Sequence, residues 1–385
     1  MKKIFAKMDK WLLFFTVLYA AFGLIMIYSA SSVAAVLRYN VSSYHFFINQ
    51  LFWIIAGFVV GFVIVLKLPT SKYRLFIPIL VIGMIAALAG LFVYGFIAGG
   101  AQRWYNFGFF NFQPTEFAKA ILIIYMAVYY DKLMKRPKKD VISFFIPIAI
   151  AIIFAALIVM QPDLGSAFVV AMISFFVFIS LPVDKKMKMK FLQLGGIGAA
   201  ILIVILMVGQ NSFLNPAQMA RFNFRNPCTR YTDPSGYQLC NGFIAINNAK
   251  IFGVGLGNST QKYMYLPEGH TDFIFPIIVE ELGLIVGILI ILGYAFMLYR
   301  ILKIARNGEN LRCSLLAYGV FWLMLLHILI NLLGILGLMP LTGIPLPLLS
   351  YGGSFSIVII VMLFIVQKVA VENAINKNKR EIANM

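Results

Sequence analysis

Residues 144–181 read FFIPIAIAIIFAALIVMQPDLGSAFVVAMISFFVFISL, an apolar run interrupted once, by Gln161-Pro162-Asp163. A membrane-spanning helix needs about 20 apolar residues, so this run is too long for one crossing and suits two. Proline between two polar side chains marks a turn, and the stretch is read as a hairpin of two membrane helices. Applied outward, the same criterion finds runs near 11–30, 46–66, 75–98, 114–130, 191–209, 272–299, 314–336 and 353–370, which makes ten spans in all. The composition agrees: 62% of the 385 residues are apolar and 12% charged, against an ordinary charged fraction of roughly 25%. These values exclude a soluble enzyme, a nucleic-acid-binding protein and a secreted disulfide scaffold. The expected fold is an all-α polytopic membrane protein, a single domain over 1–385, with a large extracellular loop at 210–271 between the seventh and eighth spans.

The net charge of +18 suggests a polyanion partner until the charges are placed. Ten spans put both termini on one side. That side, with the loops it owns, holds 24 of the 32 lysines and arginines, while the other holds seven and Lys119 lies within a span. The positive-inside rule makes the rich side cytoplasmic, so the basic balance reflects topology more than choice of partner. Lys2, Lys3, Lys7 and Lys10 precede an apolar run too long for a signal peptide, and the first run is expected to stay as a helix.

Acidic residues are scarce, 14 in all, so their placement is informative. Seven lie in cytoplasmic segments, where solvation accounts for them. The others are Glu116, Asp163, Asp233, Glu268, Asp272, Glu280 and Glu281, in outer loops or the spans that begin there. Glu116 and Lys119 stand three apart behind Pro114 and so share a helix face. They form either an ion pair stapling two helices or the lining of a polar cavity open to the outside. The cavity is the preferred reading, because charge within a membrane by default marks a pathway or site. Asp163 suits a helix N-cap, a structural role facing Lys119, or chemistry. Pro267-Glu268-Gly269-His270-Thr271-Asp272 gathers two carboxylates and an imidazole at the membrane surface. Such a cluster suits proton abstraction or phosphate or metal binding, although its spacing fits no standard metal motif. His270 or Asp272 capping a helix, and Glu280 meeting a buried partner, are the structural alternatives.

The 210–271 loop is too long for a connector. Its Arg221, Arg225 and Arg230 suit either partner docking or an anionic head group. Cys228 and Cys240 stand 12 residues apart there, a spacing that leaves a disulfide and two free thiols equally open. Pro340 to Ser354, with Ser350, combines prolines and glycines in irregular backbone at membrane depth, tolerated only where it is buried in protein or lines a wet cavity. No P-loop, dinucleotide fingerprint or zinc spacing is present, so no nucleotide cofactor is expected. A transporter with a midplane site and an enzyme acting on a lipid-linked substrate from outside both fit. The absence of a convincing internal repeat tilts toward the enzyme.

Arg103-Trp104 with Gln113-Pro114-Thr115-Glu116, then Gln161-Pro162-Asp163-Leu164-Gly165-Ser166-Ala167, then Pro267-Glu268-Gly269-His270-Thr271-Asp272-Phe273, then Pro340 to Ser354 together resemble the SEDS family (shape, elongation, division and sporulation), in its order and on its ten-span layout. Gly253-Val254-Gly255-Leu256-Gly257-Asn258-Ser259 with Gln261-Lys262 resembles the division branch (FtsW type) more than the elongation branch (RodA type) or a sporulation paralogue. The resemblance implies a peptidoglycan glycosyltransferase polymerising lipid II at the outer face of the membrane. Asp272 matches the family's essential aspartate and is the expected general base. Glu116, Lys119 and Asp163 match cavity positions, Trp104 a functionally important tryptophan. Arg221, Arg225 and Lys119, or a divalent cation (Mg or Mn), are the expected partners of the leaving diphosphate. Implied partners are a class B penicillin-binding transpeptidase and other division-complex membrane proteins. A lipid II flippase is the rival activity, and it requires polar groups through both leaflets. Phe355 departs from the family's paired serines, which leaves local hydrogen bonding there open.

Overall fold

The computed structural model describes residues 2–98, 101–108, 110–138, 140–193, 195–196, 219 and 221–383. Nine of the ten apolar runs are helical there. They are α1 (Lys10–Leu37), α2 (His45–Val60, extended by a wider turn over Gly61–Val65), α3 (Tyr73–Tyr94), α4 (Pro114–Met134), α5 (Val141–Val159), α6 (Leu164–Ile179), and later a broken eighth run and two long final helices. Of the seventh run, 191–193 continue a helical stretch from 185; 194 and 197–209 lie outside the described residues.

Caps account for several helix starts. Asp9, Asp140 and Asp163 each accept a backbone N–H of the first turn of α1, α5 and α6, satisfying donors that a helix end leaves open. Pro114 opens α4, where a missing N–H costs nothing. The Gln161-Pro162-Asp163 interruption ends α5 and begins α6, as the hairpin reading requires.

Three features go beyond the sequence reading. First, the chain is not wholly helical. Strands β1 (Phe96–Ala98), β2 (Ala101–Asn106) and β3 (Asn111–Phe112) form a small antiparallel sheet between α3 and α4. Second, the 210–271 loop is structured where it is described. It holds a 3₁₀ turn (Pro227–Arg230), helix α7 (Pro234–Asn248) and a disulfide between Cys228 and Cys240. Third, the eighth run is two helices, α8 (Ile274–Leu282) and α9 (Leu284–Arg306), with the break at Gly283. Its φ of +90° is a conformation that side-chain-bearing residues rarely adopt, and a Cβ there would lie 2.2 Å from the Ile251 carbonyl.

Seven helices among the described residues are long and apolar enough to cross a membrane. α4 is not one of them because it carries buried Glu116, Lys119 and Asp131, and α6 is short at 16 residues. Such sequences are tolerated in the interior of a bundle, where neighbours satisfy the polar groups. Helices α10 (Leu311–Ile335) and α11 (from Gly353) form that interior: 67% and 83% of their apolar windows are buried, against 28% for α2, α3 and α5. The outer face of α3 shows the opposite pattern, with Ile79 and Ile82 largely exposed.

Candidate functional site

Asp272 lies in the turn just before α8, on the side reached by the loops after the odd-numbered early spans. Thr271 Oγ1 lies 3.2 Å from Asp272 Oδ1 and 3.2 Å from Glu268 Oε2, so one hydroxyl stands between the two carboxylates. The turn is fixed from the opposite side by Asn331 of α10, whose amide donates to the carbonyls of Asp272 and Ile344 at 2.8 Å each. Gly343 closes over the carboxylate, since a Cβ there would lie 3.8 Å from Asp272 Oδ2. Asp272 also faces a crevice of about 10 Å³ with Asn331, Thr342 and Gly343, room for about one water.

These surroundings set the acid's behaviour. Burial and the like charge of Glu268 push the Asp272 carboxyl up from 3.8 to about 7, against the opposing pull of Thr271 and of the positive charge on Arg221. A carboxylate titrating near neutrality is suited to accept a proton in catalysis. Glu268 in turn pairs with Arg38 at 3.6 Å. Both line a cavity of about 230 Å³ between the outer end of α1 and the 262–270 turn, together with Tyr39, Lys262 and His270.

His270 is buried, its ring packed on Phe46 at 4.5 Å and against Tyr351 and Tyr39. Its backbone carbonyl accepts from Tyr351 N at 2.9 Å. Burial lowers its pKa to about 4, so at pH 7 it is neutral. That environment gives His270 an ordering role, joining the 267–273 turn to the 350–352 segment.

A second polar cluster lies one helical turn away. Lys119 Nζ donates to Glu116 Oε1 at 2.8 Å, and both side chains are buried. It also lies 3.2 Å from His327 Nε2, while His327 Nδ1 faces the Pro345 carbonyl at 3.4 Å. A carbonyl can only accept, so Nδ1 carries the proton and Nε2 accepts from Lys119. The imidazole stacks on Phe355, which gives the departure at that position a packing function. His327 and Asn331 are four apart on α10 and so share a face. One reaches the Glu116–Lys119 pair, the other the Asp272 turn, and both touch the 340–347 segment. Gly165 of α6 packs on Thr342 of that same segment.

The other expected residues divide. Asp163 caps α6 through Ser166 N at 3.2 Å and pairs with Arg103 at 3.8 Å, not with Lys119. Arg221 acts on Asp272 through its charge, whereas Arg225 is exposed and contributes its carbonyl to Arg230. Trp104 is half-buried in β2 opposite Phe96, on a different element from the Asp272 turn. Ser350 is fully buried and does not line the cavity. Its hydroxyl accepts from Leu346 N and its carbonyl from Gln50, so it ties a turn. Glu280 and Glu281 have the buried partners expected on the structural alternative. Glu280 accepts from Asn248, Ser259 and Thr260, and Glu281 from Ser29 and Lys262. Sequence reading missed Thr271, Asn331, His327 and Arg38. The two α10 residues had a signal, polar side chains at helical spacing in an otherwise apolar run.

A family model for FtsW, RodA and SpoVE, described as cell cycle protein, matches residues 10–375. The chain belongs to this family. Relatives include the "Probable peptidoglycan glycosyltransferase FtsW" of Bacillus subtilis (strain 168), 36% identical over 99% of this chain and 95% of its own length. The protein of the same description from Wigglesworthia glossinidia brevipalpis is 34% identical over 96% and 95%, and the "Stage V sporulation protein E" of Bacillus subtilis is 33% identical over 90% and 92%. Among solved structures, a chain from work on the structural coordination of polymerization and crosslinking by a peptidoglycan synthase complex superposes with a TM-score of 0.74 at 26% identity, covering 95% of this chain and 98% of that one. The rod shape determining protein RodA of Thermus thermophilus shares the fold, with a TM-score of 0.67 over 95% of this chain and 97% of its own. Like the rest of this FtsW, RodA and SpoVE family, the chain is read as a multi-pass membrane protein, with seven helices of spanning length and apolarity among the described residues.

Proposed function

We propose that this protein is a peptidoglycan glycosyltransferase of the division type, polymerising lipid II at the outer face of the bacterial cytoplasmic membrane, with both termini cytoplasmic. The observation that carries the reading is Asp272, a half-buried carboxylate titrating near 7 on the turn between the outer loop and α8. In the reaction, the 4-hydroxyl of the acceptor sugar loses its proton to Asp272 and attacks the donor's anomeric carbon. The bond to undecaprenyl diphosphate breaks on the opposite face, and the anomeric centre inverts. Thr271 and Asn331 hold the base in place, and Gly343 closes over it without a side chain. Arg221 and Arg38 supply positive charge on the two flanks of the acidic pair, where the diphosphate's charge develops.

Among the described residues no group of three His, Cys, Asp or Glu side chains converges, and guanidinium charge flanks Glu268 and Asp272. A divalent cation used in turnover is therefore assigned to the substrate's diphosphate oxygens and water, in keeping with the way Mg²⁺ is usually carried. The similarity to a chain of a peptidoglycan synthase complex supports a class B penicillin-binding transpeptidase as partner, alongside other division proteins, because this chain has no domain for cross-linking peptides among its described residues.

The test is purified full-length protein with its transpeptidase, given lipid II and Mg²⁺, with glycan products resolved on a gel. Polymer from wild type and none from a folded Asp272→Ala variant is the expected result. Full polymerisation by that variant would remove Asp272 from the chemistry. Labelled lipid II crossing vesicle membranes without polymer would replace the enzyme by a flippase.

A further inference from the structure

Between Lys250 and Lys262 the outer loop carries no charged residue, and its tip is apolar and open. Ile251, Phe252, Val254 and Leu256 are all exposed, Phe252 to 80%. Exposed apolar clusters of this kind mark contact with a membrane or with another protein. The backbone of the segment and its depth decide between the two.

Residues 250–257 are neither helix nor strand, yet the protein satisfies their backbone from within. Gly253 N donates to the Ala249 carbonyl at 2.7 Å, and Val254 N and Gly255 N donate at 2.9 Å each to the carbonyls of Glu280 and Glu281 in the last turn of α8. The Lys250 carbonyl accepts from Leu284 N, in the first turn of α9, at 3.3 Å, and the Gly255 carbonyl accepts from Asn258 N at 3.1 Å. Asn258 Nδ2 donates to the Val254 carbonyl at 3.2 Å, and Lys262 Nζ donates to that of Gly257. A loop in water needs none of this, because water completes its backbone. Irregular backbone at membrane depth does need it, and here the apolar side chains are what is left uncovered.

Two helices measure the depth. Asp9, the charged cap of α1, pairs with Arg300 of α9 and marks one edge of the membrane. From Asp9 to Ser29, whose hydroxyl donates to the Glu281 carboxylate at 2.8 Å, α1 rises about 30 Å. From Arg300 back to Leu284, α9 rises about 24 Å. The hydrocarbon core is about 30 Å thick, so the break between α8 and α9, and the segment bonded to it, lie in the far leaflet or at its edge. That is the outer leaflet in the orientation proposed above. Leu284, Ile288 and Leu292, with Ile285 and Leu289, form an exposed row on α9 from this level inward. Tyr263 and Tyr265 are exposed shortly after the tip and Lys250 just before it, residue types that settle at head-group level.

We propose that residues 250–257 form a wedge inserted into the outer leaflet, with phospholipid acyl chains covering Ile251, Phe252, Val254 and Leu256. Continuity with the exposed row of the spanning helix α9 favours lipid over a protein as the cover. The wedge is bonded to the last turn of α8, whose other end follows Asp272 directly, so it fixes the height of the acid-bearing turn against the bilayer. Membrane depth is independent of the reaction catalysed, and failure of the wedge is therefore separable from failure of the glycosyltransferase reading.

Phe252→Cys and Leu256→Cys, each in the full-length protein and carrying a nitroxide spin label, test the wedge in lipid nanodiscs, alone and bound to the transpeptidase. The native thiols do not compete, because Cys313 is buried and Cys228 and Cys240 are bonded to each other. Relaxation of the label by oxygen, which concentrates in hydrocarbon, is compared with relaxation by a water-soluble nickel chelate. Ile79→Cys on the exposed face of α3 supplies the lipid reference, and Arg225→Cys, exposed on the outer loop, supplies the water reference. Both tip labels should show the oxygen-dominated ratio of the Ile79 position in both preparations, with a depth parameter opposite in sign to that at position 225. The label at 256 reads the same depth should the Phe252 variant fail to fold. A nickel-dominated ratio at both positions would place the tip in water and overturn the wedge. Shielding from both relaxants, in the protein alone or only in the complex, would assign the surface to protein contact and overturn it equally.

Discussion

Replacing Asp272 by asparagine should abolish polymerisation and at the same time stabilise the protein, by an amount that grows with pH. The folded carboxyl titrates at about 7 against an ordinary 3.8. Between those values the native state holds a proton that the unfolded chain has released, so stability falls as pH rises through this window and levels off above it. At 1.36 kcal/mol per unit, the strain of keeping this acid amounts to about 2 kcal/mol at pH 5 and about 4 kcal/mol at pH 8. Asparagine keeps the shape and leaves an oxygen for the Thr271 hydroxyl, which now lies 3.2 Å from Asp272 Oδ1, but it carries no charge to desolvate. Thermal unfolding followed by tryptophan fluorescence in detergent, at pH 5 and pH 8, reads the effect. The variant should melt above wild type at pH 8, and its advantage should shrink by about 2 kcal/mol at pH 5. Activity should fall by at least about 10²-fold, the ordinary contribution of a general base. An Asp272→Asn protein that melts below wild type at pH 8, or a gap that does not depend on pH, would refute the claim that burial and Glu268 strain this carboxylate.

Three further outcomes follow from neighbouring geometry. Glu268→Gln removes the like charge beside Asp272, so the acidic limb of the polymerisation profile should move down. Lys119→Met leaves Glu116 buried without its cation and should cost about 3–5 kcal/mol in unfolding free energy, most of it recovered in Glu116→Gln/Lys119→Met. Gly253→Ala asks a Cβ to sit 2.3 Å from the Glu281 carbonyl at a φ of +79°, and it should lower the yield of monodisperse protein on gel filtration where Gly83→Ala, which meets open space, does not.

Much of the fold was legible because the bilayer simplifies the problem. A span must satisfy its own backbone and present apolar side chains, so length and hydropathy place helices directly, and Pro162 places a turn. What the same logic could not see is where the protein rather than the lipid surrounds the backbone. Gly283 interrupts an unbroken apolar run, because its neighbour is the 250–257 segment: Val254 N and Gly255 N donate to the carbonyls of Glu280 and Glu281 at 2.9 Å. Glu280 and Glu281 read equally well as a buried pair or a site until Ser29, Asn248, Ser259 and Lys262 are found around them, residues up to 252 positions away. The short strands beside Trp104 fall in the same class, since pairing across a hairpin carries no signature in a segment that periodicity reads as a linker.

The candidate site divides along a similar line. Scarcity singled out seven outer acids, Asp272 among them, and the resemblance of its His270-Thr271-Asp272 run to the SEDS family is what marked it as the expected base. Which positive charge is free to meet a diphosphate is a property of partners, and sequence ranked it differently from the structure. Lys119 seemed as good a candidate as Arg221, but its ammonium is already engaged by Glu116, and the imidazole it touches is a neutral acceptor whose other nitrogen faces Pro345. That cluster therefore carries little net charge, and its position under the 340–347 segment makes it a support for the loop above Asp272. Arg221, whose charge bears on Asp272, and Arg38, exposed on the far side of Glu268, are left on the outer flanks, where the proposed reaction would release its diphosphate. Neutralising Lys119 with its partner should thus preserve the salt sensitivity of substrate binding, and neutralising Arg221 should reduce it.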